Sequence, residues 1–244
     1  MRNLRLDICY DGSKYKGFQR LPGNQPTIQG KLESVLSRLL GESIEVSGSG
    51  RTDAGTHAMG QVVSFHCSST MSCEEIIAGL RQYLPEDIGV IALKNASPRF
   101  HARLNAKTKT YRYRVWNSEA PCVFDRKYVY IDPSELDIDL MRIAAKAYLG
   151  THDFCAFCAN KHMKKSTVRT IEFFEIQRIG NEVVFCVIGN GFLQHMVRIM
   201  VGTLLEVGKG LRDPDSIPLL FGSERAIAGP AVPSSGLCLM EVSY

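Results

Sequence analysis

From Gly48 to Gln61 the chain reads GSGRTDAGTHAMGQ, four glycines around a single Arg-Thr-Asp triplet. Glycine weakens the interior of a helix or strand and admits positive φ and close approach of another molecule, so this stretch is a loop. Ile44 to Val46 enters it and Gln61 to Phe65 leaves it with β-type patterning, which predicts a strand-to-strand connection at a sheet end. The fold therefore holds an arginine and a carboxylate, two residues apart, on a permissive backbone at the rim of a sheet.

The remaining patterns alternate between strand and helix. Leu4 to Cys9 reads as a strand, and Ile28 to Leu40 as a helix with Ile28, Leu32, Val35, Leu36, Leu39 and Leu40 on one face. Ser72 and Glu75 form a capping box ahead of a helix through Tyr83, which Pro85 stops. Strands follow at Ile88 to Leu93 and Thr110 to Trp116; in the latter Tyr111, Tyr113 and Val115 share one face, Arg112, Arg114 and Trp116 the other. A helix from Leu136 to Leu149 ends at Gly150, and strands Val168 to Ile179 and Glu182 to Ile188 are joined across Gly180-Asn181. A longer helix, Phe192 to Val207, buries Leu193, Met196, Val197, Met200, Val201 and Leu204 with Arg198 at the stripe's edge, and Leu237 to Ser243 closes on a strand. This order predicts an α+β protein of two similar halves, 1–105 and 106–244, with a central, mostly antiparallel sheet, helices on one face and the other face open.

A chain of 244 residues that is 45% hydrophobic can bury a core without staples. No apolar run approaches the roughly 18 residues of a membrane span, and the N-terminus lacks the apolar segment of a signal peptide, so the expected address is the cytoplasm. The eight scattered cysteines read as reduced thiols. Cys155 and Cys158 form the one CxxC, and with only His152 and His162 nearby the spacing gives no zinc set; no metal or cofactor is expected.

Net charge is only +4, too little to establish a nucleic-acid partner, but its distribution is uneven. Arg99, Arg103, Lys107, Lys109, Arg112 and Arg114 fall in one acid-free run with interleaved aromatics, and a second run from Asn160 to Arg169 holds Lys164 and Lys165. Such runs are either solvated faces or a phosphate-tracking surface with stacking rings. Two phosphate motifs are excluded: Asp53 stands where a dinucleotide loop needs glycine, and Gly12-Ser13-Lys14 lacks the upstream glycine of a P-loop. By itself Asp53 fits an Asx-turn or a catalytic acid, and His57 a satisfied loop histidine or a base.

GSGRTDAGTHAMGQ also resembles the G-x-G-R-T-D-x-G-V-H-A-x-x-Q signature of the tRNA pseudouridine synthase A family. YDGSKYKGFQRLPGNQPTIQGKLE is similar to the family's opening segment, FHARLNAKTKTYRYRV to its tyrosine motif and GNGFLQHMVRIMVGTLLEVGKG to its late helix; GTHDF and AGPAVPSSGLCLMEVSY fit as well. The resemblance implies the pseudouridine synthase fold, with two ferredoxin-like halves, and a cofactor-free isomerisation in which the N1–C1′ bond of a uridine breaks and a C5–C1′ bond forms. It implies Asp53 as the catalytic aspartate, Tyr111 as the active-site tyrosine, and Arg51 and Arg198 as the arginines near that aspartate. The implied partner is the 3′ side of a tRNA anticodon stem-loop (positions 38, 39 and/or 40), bound by a homodimer, with Arg51 and Tyr111 at the extruded nucleotide; Arg103, Lys109, Arg112, Lys164 and Lys165 of the two basic runs are the candidate RNA contacts on charge alone.

Carboxylates are ionised at neutral pH, and a guanidinium alongside favours the charged form. Such a group can add to ribose C1′, add to C6 of the base or remove the 2′ proton to give a glycal; the residues leave all three open, and the resemblance favours the glycal. Phe18 and Thr56 replace the family's usual tryptophan and valine, and CAFCANKHMKKS is individual to this chain. The rival readings are a pseudouridine synthase for another RNA or uridine position, a non-catalytic RNA-binding module, and a thiol or zinc protein built on Cys155 and Cys158.

Overall fold

The computed structural model describes residues 1–23, 25–160, 163 and 165–244. In chain order its regular elements are β1 (Arg2–Tyr10), α1 (Ile28–Leu40), β2 (Ser47–Gly48), β3 (His57–Cys67), α2 (Cys73–Tyr83), β4 (Ile88–Asn95) and β5 (Lys109–Trp116). Then come β6 (Tyr130–Ile131), α3 (Ile138–Ala145), β7 (Gly150–Asp153), β8 (Val168–Ile179), β9 (Glu182–Gly189), α4 (Met196–Gly208) and β10 (Leu237–Val242). The class is α+β, and the chain separates into two compact units, residues 1–107 with 239–244 and residues 108–238.

In the first unit the strand order is β4-β1-β3-β10, with β2 added to β3. β1 is antiparallel to both neighbours, Leu6 facing Val63 on β3 and Leu93 on β4, and its alternation buries Leu4, Leu6 and Ile8 completely. The helices begin and end where their caps dictate. Thr27 accepts the Gly30 amide at the start of α1, Gly41 closes it at φ 70°, and Ser72 and Glu75 exchange both hydrogen bonds of a capping box on α2. The expected strand at Ile44 to Val46 does not form. Both side chains are buried, but the Ile44 amide donates to Ser37 Oγ and the Val46 amide to Glu33 Oε1, so α1 side chains satisfy this backbone in place of a sheet ladder. Pairing starts only at Ser47, opposite Ser64.

In the second unit the order is β5-β9-β8-β7, antiparallel throughout, and β6 joins β5 in parallel. Tyr113, Val115, Val183, Phe185 and Val187 form its buried face. β6 and β7 carry too few residues to show a period. α3 is shorter than its apolar pattern predicts: after Ala145 the chain tightens into a 3-10 turn that buries Tyr148 fully, and Gly150 at φ 96° turns it into β7. α4 starts later than expected because His195 takes φ 60°, which no helix interior accommodates. It is no stripe either. Every α4 residue except Arg198 and Glu206 is buried, so this is an interior helix.

Candidate active site

The loop from Ser49 to Thr56 is built in the first unit, against the segment that follows β1. The Phe18 amide donates to Thr52 O at 3.1 Å and the Gly55 amide to Tyr15 O at 3.2 Å, which binds the two segments backbone to backbone. That approach requires Gly12 and Gly17. A Cβ on Gly12 would lie 2.0 Å from Thr56 O, and one on Gly17, itself at φ 103°, 2.8 Å from Thr52 O. Gly48 is fixed by the ring of Phe18, which leaves no space for a side chain. Within the loop the Thr56 amide closes on Asp53 O at 3.1 Å. His57 is buried with Nδ1 accepting from the Gly12 amide at 3.1 Å and lying 3.2 Å from Asp11 Oδ1, and it serves the scaffold under the loop.

The triplet at the crest alternates in exposure: Arg51 is exposed, Thr52 buried and Asp53 half-buried. Two exposed cations that the sequence reading passed over, Lys14 and Lys16, belong to the segment hydrogen-bonded to this loop. The glycines on either side of them were the available signal, since glycines at 12 and 17 demand a close neighbour. Arg103 is exposed on a turn closed by His101 and Asn105 and tied to β3 through the Ala102 amide and Ser64 Oγ.

In the second unit β5 sends Tyr111 and Arg112 to opposite faces. The Tyr111 ring is buried and meets Phe192 edge-on at 5.1 Å. Arg112 aligns with Cys186 on β9, and its buried Nε has no hydrogen-bond partner among the described residues. Lys109 is half-buried at the start of the strand. Tyr113, two residues from Tyr111, is structural: it donates to Pro233 O at 2.7 Å, and burial pushes its phenol above the ordinary value although the Arg198 guanidinium works against this. Arg198 lies in the first turn of α4, where its Nε donates to Val232 O at 2.6 Å. Lys165 is exposed; Lys164 and His162 lie outside the described residues.

All eight cysteines are free thiols. Cys155 Sγ donates to Ser223 O at 3.0 Å, and burial, with Asp153 close by, raises its pKa above the usual thiol range. Such a thiol stays protonated and is a poor nucleophile. Among the described residues no group of three or more His, Cys, Asp or Glu side chains is arranged to hold a metal ion.

Comparison with known proteins bears directly on these motifs. Residues 8–105 and 144–244 match the family described as tRNA pseudouridine synthase, which takes in the Asp53 loop and α4. The chain is 45% identical over its whole length to the tRNA pseudouridine synthase A of Bacillus sp. (strain KSM-64), all of which it covers. It is 44% identical, again over 100% of both chains, to tRNA pseudouridine synthase A 1 of Clostridium tetani.

The chain belongs to the tRNA pseudouridine synthase family.

As a pseudouridine synthase it is an isomerase that converts uridine in tRNA to pseudouridine. The family match omits 106–143, the stretch holding Lys109, Tyr111 and Arg112, but the full-length relatives span it. A crystal structure of an archaeal box H/ACA sRNP Nop10-Cbf5 complex is similar over 83% of this chain and 44% of that one, at 14% identity and TM-score 0.36, too remote to bear on the site. Among the described residues no helix is long and apolar enough to cross a membrane.

Proposed function

We propose that this synthase modifies uridines on the 3′ side of the tRNA anticodon stem-loop, at positions 38, 39 and/or 40, and that Asp53 is its catalytic carboxylate. The observation that carries the reading is the state of the Arg51–Asp53 crest. The backbone of Thr52, Gly55 and Thr56 is held by hydrogen bonds, Arg51 is exposed and Asp53 is half-buried. A fixed backbone that carries a charged pair at its crest is an arrangement suited to chemistry on a bound nucleotide.

The target base must leave its stack before its glycosidic bond can be reached, at a cost of a few kcal/mol. Stacking on an aromatic ring returns about 1–3 kcal/mol, and Tyr111 is proposed as that ring; its hydroxyl is also a candidate to take the C5 proton. Asp53 removes and holds the 2′ proton, so that the N1–C1′ bond breaks to give a glycal and the uracil anion, which leaves with the bonding pair on N1. The base turns, C5 bonds to C1′, the 2′ proton returns, and loss of the C5 proton with protonation of N1 completes an isomerisation that consumes nothing. Arg51 holds the place or the phosphate of the extruded nucleotide, and Arg198 is proposed as a second arginine of the catalytic set. Arg103, Lys109, Arg112, Lys164 and Lys165, joined by Lys14 and Lys16, contact phosphates. The enzyme is proposed to act in the cytoplasm as a homodimer.

Asp53→Asn keeps the shape of the side chain and removes its basicity. On an unmodified tRNA transcript with C5-tritiated uridine it is expected to lower tritium release by about 10³-fold or more while tRNA affinity changes less than threefold. Normal turnover by this variant would overturn the assignment; retained binding with no new nucleoside in the wild-type protein would favour the RNA-binding module.

A further inference from the structure

Two side chains reach the Arg51–Asp53 crest from the strands beneath it. Tyr10 ends β1 and Gln61 lies within β3, and both are almost wholly buried, at 5% and 0% exposure. The Gln61 amide uses both its ends. Oε1 accepts the Ser49 hydroxyl at 2.6 Å and the Val62 amide at 3.1 Å, while Nε2 donates to Gly50 O at 3.1 Å and to the Tyr10 hydroxyl at 3.4 Å. Turning this amide over would set its NH2 against the Val62 N–H, so its orientation is determined. The Tyr10 hydroxyl in turn lies 2.8 Å from Thr52 Oγ1. Ser49 and Gly50 on one side of Arg51, and Thr52 on the other, are thus held by two buried side chains.

Apolar residues would hold β1 on β3 at least as well, and a buried amide and phenol cost desolvation that only a satisfied network offsets. What the polar pair adds is direction: three loop residues flanking Arg51, namely Ser49, Gly50 and Thr52, are tied to the sheet by bonds that tolerate little movement. We propose that Tyr10 and Gln61 are positioning residues for the isomerisation. Acting through Thr52, Ser49 and Gly50, they fix the angle at which Asp53 and Arg51 leave the loop, and neither touches the substrate. This rests on the reading of Asp53 as the catalytic carboxylate.

The experiment compares Tyr10→Phe, Thr52→Val and Thr52→Ser on unmodified tRNA transcript, reading kcat, KM and tRNA affinity well below each variant's unfolding midpoint. Tyr10→Phe and Thr52→Val are expected to lose about 10- to 100-fold in kcat, the scale of a misplacement near 1 Å, with KM and tRNA affinity within twofold of wild type. Thr52→Ser keeps the hydroxyl and is expected to retain most of kcat. A purely structural role would lower the midpoint and leave kcat of the folded enzyme unchanged. Wild-type kcat in Tyr10→Phe, or an equal loss in Thr52→Ser and Thr52→Val, overturns the proposal. If Tyr10→Phe does not fold, the Val and Ser pair at position 52 decides alone. Asp53→Asn in the same assay separates the two claims. Turnover by it removes the catalytic assignment, whereas an inactive Asp53→Asn beside a fully active Tyr10→Phe removes only the positioning role.

Discussion

Thr56 buries a hydroxyl that has no hydrogen-bond partner among the described residues, in the loop where the family usually carries valine. A buried hydroxyl without a partner costs about 1–3 kcal/mol in protein mutational series, and valine has nearly the same shape. Thr56→Val is therefore expected to raise stability by about 1 kcal/mol and the thermal midpoint by roughly 2–4 °C, which differential scanning calorimetry would show. A lower midpoint would mean that the hydroxyl is satisfied in solution. At this scale Arg51 and Asp53 were legible, because glycine spacing and charge are properties of a short window. Tyr10 and Gln61 were not, since their partners are set by the register of β1 on β3, in which Ile8 faces Gln61 and Tyr10 faces Ala58. Phe18 reads as a loop substitution until its ring is seen to occupy the space beside Gly48.

Elements were readable where their ends are chemically marked. α1 and α2 have a threonine or serine cap and a glycine or proline stop, and they begin and end where those residues predict. α3 and α4 lack such marks on one side, and apolar periodicity alone ran past the 3-10 turn at Lys146–Tyr148 and started too early before His195. The reason α4 is buried all round also lies outside any local window. Its Gly202 lies against the backbone of Pro230, where a Cβ would come within 1.9 Å of the carbonyl oxygen, and Thr203 Oγ1 accepts the Gly229 amide at 3.0 Å. Gly202→Ala must push two backbones apart. It is expected to cost about 3 kcal/mol, the upper end of ordinary overpacking penalties, read as a lower urea midpoint at unchanged m-value.

For the whole molecule, the order of patterns pointed to α+β and to two halves meeting near residue 105; that residues 239–244 group with the first unit rests on long-range contacts that no sequence window contains. Acid stability is a property at this scale. Asp132 is buried, which by itself raises its pKa, but Lys209 Nζ at 2.7 Å and hydrogen bonds from Ser134 outweigh this and hold the carboxyl below its ordinary value. The sign follows directly: the unfolded chain takes up the proton first, so the stabilisation is present above about pH 3.8 and is lost as pH falls through the lowered folded value. Asp132→Asn is expected to cost about 2 kcal/mol at pH 6, less than a fully buried pair because Lys209 keeps some solvent, and the gap to wild type should close toward pH 3. Urea unfolding at both pH values measures it.

The last strand divides its allegiance, since residues from Leu239 onward belong to the unit that begins at Met1. There Tyr244 donates to Ala102 O, its ring lies under the Arg5 guanidinium, and the Lys107 amide reaches Ser243 O. A ribosome delivers the N-terminal unit first but withholds the strand that lies next to β3 until all of 108–238 has been made. The nascent first unit waits with an open sheet edge, so translation speed and chaperone occupancy during that interval bear on how much enzyme matures.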